Sequence, residues 1–244
     1  MNAVIARITL RQLLSRRRTL LLLLLGGVLV LVAGVFRLAG EEARALPFTS
    51  GLLRNLGVGT LMPLVALLFG TGAIGAEIED GTAVFLLAKP VSRRSIVLTK
   101  LAVAAVCSAA LTCLPMLLAG LIAAGGLAEG LVIGMVAGAA IGSVLYCAVF
   151  VALSLVTSRA LVFGLTYVLI WEGLLAGLFA GTRTFSIRQQ TLAFADAIGG
   201  IPKSVFDAPL DLTTAAVVAA AVLVGATLLA IRRLGAFEIS GEPA

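Results

Sequence analysis

Residues 19–36 read TLLLLLLGGVLVLVAGVF, eighteen in a row without a charge, and no other feature limits this chain so tightly. A helix rises about 1.5 Å per residue and a bilayer's hydrocarbon is about 30 Å thick, so roughly 20 apolar residues cross it. Six segments approach or exceed that length: 19–36, 57–76, 100–123, 130–156, 160–180 and 212–231. A soluble fold of 244 residues has no interior large enough for them, since 61% of the chain is hydrophobic and only 12% charged. Lipid offers backbone groups no partners, so each segment must satisfy its own, and no period-two alternation suggests a barrel. The expected fold is an all-α polytopic membrane protein of six transmembrane helices within residues 19–244.

Basic residues set the orientation, because they tend to stay on the cytoplasmic side. With the N-terminus inside, twelve fall in the cytoplasm: Arg7, Arg11, Arg16, Arg17, Arg18, Lys89, Arg93, Arg94, Lys100, Arg159, Arg232 and Arg233. Six fall outside: Arg37, Arg44, Arg54, Arg183, Arg188 and Lys203. The expected location is the inner (cytoplasmic) membrane, multi-pass, with both termini cytoplasmic. Topology thus accounts for the net charge of +6, and no aromatic-and-basic interleaving points to nucleic acid.

Residues 1–18 form a basic leader. Arg7, Arg11 and Arg18 share one helical face while Val4, Ile5, Ile8, Leu10 and Leu13 cover the rest, the pattern of an amphipathic helix lying in the interface. A secretory signal has the same order of basic then apolar residues, but eighteen residues is long for its basic part. Cys107, Cys113 and Cys147 fall inside expected spans as small apolar residues, with no CxxC spacing.

Two rows of glycines recur every fourth residue: Gly130, Gly134, Gly138 and Gly142 in the fourth span, and Gly173, Gly177 and Gly181 in the fifth. Such rows let helix backbones approach closely, within one subunit or between two. There is no histidine, which removes His-dependent triads and HExxH zinc sites. No GxxxxGK[ST] is present either; Gly199–Ser204 comes nearest but has Pro202 where the glycine must stand. The expectation is a chain that is not an enzyme, with no catalytic residue, metal or cofactor of its own. One acid, Glu172, lies within a span in YVLIWEGLLAGL, which makes it a candidate for a structural, gating or proton-coupling role.

The segment EIEDGTAVFLLAKPVSRRSIVLTKL, Glu77 to Leu101, gathers charges between two apolar spans. Asp80, Gly81 and Thr82 can cap a short helix through Ala88, on which Val84, Leu87 and Ala88 share a face beside Phe85. Pro90 ends it, and Ser92 can cap the following helix, which carries Ile96, Val97 and Lys100 into the third span. Glu77, Glu79, Asp80 and Arg93 flank the short helix, an element suited to a groove in a soluble partner.

These residues resemble the loop between the second and third spans of ABC-2 type transporter permeases, typically ER-x-x-GT…LL…PVSR. Ile78 stands where a basic residue often follows the first acid. The leader as an "elbow" helix, YVLIWEG and the FSIRQQ of the outer loop at 181–211 look like the same family. The resemblance implies a membrane permease that forms a homodimer. It implies docking of two copies of a cytoplasmic ABC ATPase, which carry ATP and Mg, through a coupling loop at 77–99. It also leaves room for an extracytoplasmic partner at the outer loop. An ion- or proton-coupled secondary transporter using Glu172 is the alternative; it would usually show inverted repeats, discontinuous helices and more buried charge. A cavity lined by Gly, Ala, Leu and Val favours a hydrophobic or amphipathic cargo for an exporter.

Overall fold

The computed structural model describes residues 3–14, 17–40, 44–79, 92–127, 130–176 and 180–236, and every regular element among them is helical. In chain order these are α1 (Ala3–Leu14), α2 (Arg17–Leu38), α3 (Ala45–Leu52), α4 (Met62–Glu79), α5 (Arg93–Ala124), α6 (Leu131–Val156), α7 (Ala160–Thr166), α8 (Ile187–Gly199) and α9 (Leu212–Gly235). A π-helical stretch, Leu53–Leu61, joins α3 to α4; a second, Tyr167–Leu175, continues α7; a 3-10 turn covers Ala180–Phe185.

Among the described residues five helices are long and apolar enough to cross a membrane: Thr19–Leu38, Ala45–Gly75, Arg93–Ala124, Leu131–Val156 and Leu212–Gly235. The fifth of the six expected runs departs from that pattern. It forms a shorter helix, Ala160–Leu175, which rises only about 24 Å.

The first π stretch has a local cause. Pro63 cannot donate to Gly59, and its ring crowds that carbonyl, so the turn before it widens. The Met62 N–H bonds Gly57 five residues back, and the Thr60 hydroxyl donates to the Asn55 carbonyl, also five back, at 3.2 Å. Elsewhere the ends follow ordinary capping rules. The Ser92 hydroxyl accepts from the Ser95 N–H to open α5, which closes on Gly125 at φ +73°. Asp211 opens α9 by accepting from Thr213 and Thr214.

The centre of the bundle is α6, packed against α4, α5, α8 and α9, with Tyr146 and Phe150 fully buried. α2 and α9 lie at the periphery, showing Leu20, Leu24, Val217 and Val224 to what a bilayer would fill with lipid. In α1 the buried stripe is Ile5, Thr9 and Leu13, four residues apart, while Arg7, Arg11, Ile8 and Leu10 are exposed. The Thr19 hydroxyl donates to the Leu13 carbonyl at 2.9 Å and ties the start of α2 to the end of α1.

The segment expected as an outer loop contains α8, which runs lengthwise along the first half of α6 in the slot made by the glycine row. A β-carbon at Gly130 would overlap the Gly199 carbonyl, one at Gly134 the Ala195 carbonyl, and one at Gly142 the Thr191 hydroxyl. One at Gly138 would lie 2.7 Å from the Thr191 carbonyl oxygen. The shorter helix serves the other half of α6, where Gly164 and Tyr167 pack on Phe150. Along α6 from its end to its start, the neighbours are therefore first Ala160–Leu175 and then α8. Between them the two pieces line both halves of α6.

Candidate functional sites

Two acids lie near the C-terminal ends of different helical stretches, Glu77 in Met62–Glu79 and Glu172 in Tyr167–Leu175. At the end of α4 the Glu77 carboxylate pairs with Lys100 on α5 at 2.6 Å. The lysine ammonium also donates to the Ala73 carbonyl at 2.6 Å and is 0% exposed. The sequence reading counts Lys100 among the cytoplasmic bases; the structure instead turns it into the bundle. The reason is phase: Lys100 stands four residues after Ile96 and three after Val97 and shares their buried face. A buried ammonium is tolerable only with partners, and Glu77 and Ala73 supply them. The pair ties the last turn of α4 to the second turn of α5, on either side of the charged segment.

Of the other residues read as a coupling element, Arg93 opens α5 and Glu79 closes α4. Asp80, Gly81, Thr82, Val84, Phe85, Leu87 and Pro90 lie outside the described residues.

Glu172 sits in the second π stretch and is buried. In an α-helix, residues five apart point about 140° away from each other, whereas in the wider π register they stack. Tyr167 therefore lies under Glu172, and its hydroxyl donates to Oε1 at 3.1 Å. The same oxygen accepts the Ile187 N–H at 2.9 Å, and the Ser186 hydroxyl donates to Oε2. Ser186 is also the N-cap of α8, accepting from the Gln189 N–H at 3.2 Å. Near the break, the Thr182 hydroxyl donates to the Leu175 carbonyl and the Gln190 amide to the Thr184 carbonyl, each at 3.0 Å.

Irregular backbone at membrane depth survives only where protein supplies the missing partners. Here one carboxylate closes the gap between the shorter helix and α8 by accepting donors from both. Sequence reasoning found Glu172 but missed Ser186, although Ser186-Ile187-Arg188-Gln189 has the spacing of a capping box. Glu172→Leu should strand the Ile187 N–H and two hydroxyls, about 1–3 kcal/mol for each buried group left without a partner. Glu172→Gln keeps an acceptor and offers an amide to Ser186. The leucine variant should melt far below wild type in detergent micelles, with glutamine in between; wild-type melting for leucine would remove the anchoring role.

The glycines read as packing positions divide. Gly130, Gly134, Gly138 and Gly142 line the α8 slot, whereas Gly173 is exposed and meets only its own helix, and Gly177 lies outside the described residues. Among the described residues no three His, Cys, Asp or Glu side chains converge as a ligand set for a metal.

The sequence model of one family, described as ABC-2 family transporter protein, matches residues 3–231. A comparison with curated proteins gives no match.

Proposed function

Since this chain belongs to the ABC-2 family of transporter proteins, we propose that it is the permease subunit of an ATP-driven exporter. The match over residues 3–231 is the observation that carries this reading, because it takes in the helices on both sides of the charged segment as well as the segment itself. Two copies of the chain would form the pathway, with α1 as the elbow helix at the inner interface. Two separate ATPase subunits, holding ATP and Mg, would dock on the Thr82–Ala88 coupling helix. The Lys100–Glu77 pair supports such coupling: it fastens α4 to α5 where the segment leaves and rejoins the bundle, so a push on the segment is passed to both helices.

The chain would cross the membrane six times. Five crossings are single helices, and the remaining one is composite, made of Ala160–Leu175 followed by α8. Both termini then face the cytoplasm, as the distribution of basic residues asks. A coupled secondary transporter would share a broken helix, but family membership does not favour it. Moreover, both Glu172 oxygens are already engaged by Tyr167, Ser186 and Ile187.

Gentle solubilisation of the tagged full-length chain from its own membranes should bring down a P-loop ATPase in equal copies. The purified assembly should hydrolyse ATP. A permease that purifies intact and folded with no ATPase under several detergents would remove this reading.

A further inference from the structure

We infer that Arg54, Arg183 and Arg188 form a binding site for a phosphate-type anion in the half of the bundle remote from Glu77. The three arginines line one cavity of about 270 Å³ together with Asn55, Gln189 and Asp207. They come from three separate elements: the π stretch Leu53–Leu61, the 3-10 turn Ala180–Phe185 and the first turn of α8. Arg54 and Glu77 are on one continuous helical course, 23 residues and about 35 Å apart. The cavity is therefore well separated from the charged segment, and nothing in the transporter assignment calls for it.

The cavity holds three cations and one anion, and among the described residues none of the three arginines pairs with an acid. Arg188 is nevertheless held in place. Its Nη2 donates to Asn55 Oδ1 at 3.0 Å, and its guanidinium lies over Gly59, where a β-carbon would come within 3.1 Å of its central carbon. Its Nε is buried and has no partner among the described residues. The N-terminal amide of α8 is not the attraction, because Glu172 already takes it. What this arrangement lacks is a negative group able to accept several forked donors at once.

Guanidinium groups bind carboxylate and phosphate through paired, parallel hydrogen bonds. A carboxylate offers two oxygens on one edge, whereas a phosphate offers oxygens in several directions and suits donors arriving from three elements. Two sources share that chemistry: the head group of an anionic phospholipid in the surrounding leaflet, and free phosphate in solution.

The test uses the full-length protein in micelles and three forms: wild type, Arg54→Gln/Arg183→Gln, and Lys203→Gln. Among the described residues the Arg54 and Arg183 side chains make no hydrogen bond on which the bundle depends, and Lys203 is an exposed cation in the same half of the bundle that does not line the cavity. Native mass spectrometry measures retention of added phosphatidylglycerol. Thermal melting of delipidated protein is compared in sodium phosphate and in sodium chloride of equal ionic strength. A head-group site predicts about one retained phosphatidylglycerol per chain in wild type and Lys203→Gln, reduced at least about tenfold in the double variant. A free-phosphate site predicts no such retention but a phosphate-specific rise in melting temperature that the double variant loses. If the double variant matches wild type in both measurements, or Lys203→Gln falls with it, the site does not exist. Neither readout involves the ATPase, so failure here leaves the permease reading standing.

Discussion

Lys100→Met should destabilise the bundle by about 3–5 kcal/mol, the range found when one member of a buried ion pair is removed. Methionine fills nearly the same volume, so the loss is electrostatic: the Glu77 carboxylate, whose side chain is only 14% exposed, is left without the ammonium 2.6 Å away. Glu77→Gln should cost less than this, because the amide oxygen can still accept from the fully buried ammonium beside the Ala73 carbonyl but no longer balances its charge. The double variant Lys100→Met/Glu77→Gln removes both charges and should recover much of the loss. Thermal melting of the four forms in micelles gives the coupling free energy, and additive single effects would show that the pair contributes nothing. Partial recovery would still leave transport impaired, since a neutral contact ties α4 to α5 less firmly than the ion pair.

The Val84→Asp/Leu87→Asp variant should insert and purify like wild type, yet lose the ATPase and all ATP-dependent transport. Both positions lie outside the described residues, so the expectation rests on the sequence and on the family. An amphipathic helix in a partner's groove binds mainly through its apolar side chains, with charges at the rim setting orientation. Two aspartates in that contact would be unpaired charges in a dry place, several kcal/mol against binding. Arg94→Gln, at the exposed rim, should weaken ATPase retention far less. A double variant that keeps its ATPase and transports would place the docking contact elsewhere on the chain.

The long spans were legible because lipid solubility is a property of the segment alone: residues 19–36 announce α2 without help from any neighbour. Caps were legible for the same reason, and Ser92 opens α5 by a bond to a residue three positions on. The burial of Lys100 was not, since a lysine at the first residue of the apolar run 100–123 reads as a boundary until its partner across the bundle is known. The placing of Ala160–Leu175 and α8 end to end along α6 was hidden more deeply. The first piece ends early, and the second, IRQQTLAFADAIG, is too polar to suggest a membrane helix. The slot that accepts it is written in α6, more than 40 residues earlier, as glycines whose purpose appears only when Thr191, Ala195 and Gly199 are laid against them.

That division has a consequence for biosynthesis. An insertion machinery that reads each emerging segment by its own affinity for lipid has good reason to release α6 and α9 into the bilayer. It has little reason to release α8, which carries Arg188, Gln189, Gln190 and Asp196. The polar helix can settle only after α6 is in place to offer its glycine slot and the preceding helix is in place to offer Glu172. Its position is thus acquired from finished neighbours, late in maturation, and the order of synthesis along the chain, α6 before Glu172 before α8, is the order in which those supports become available.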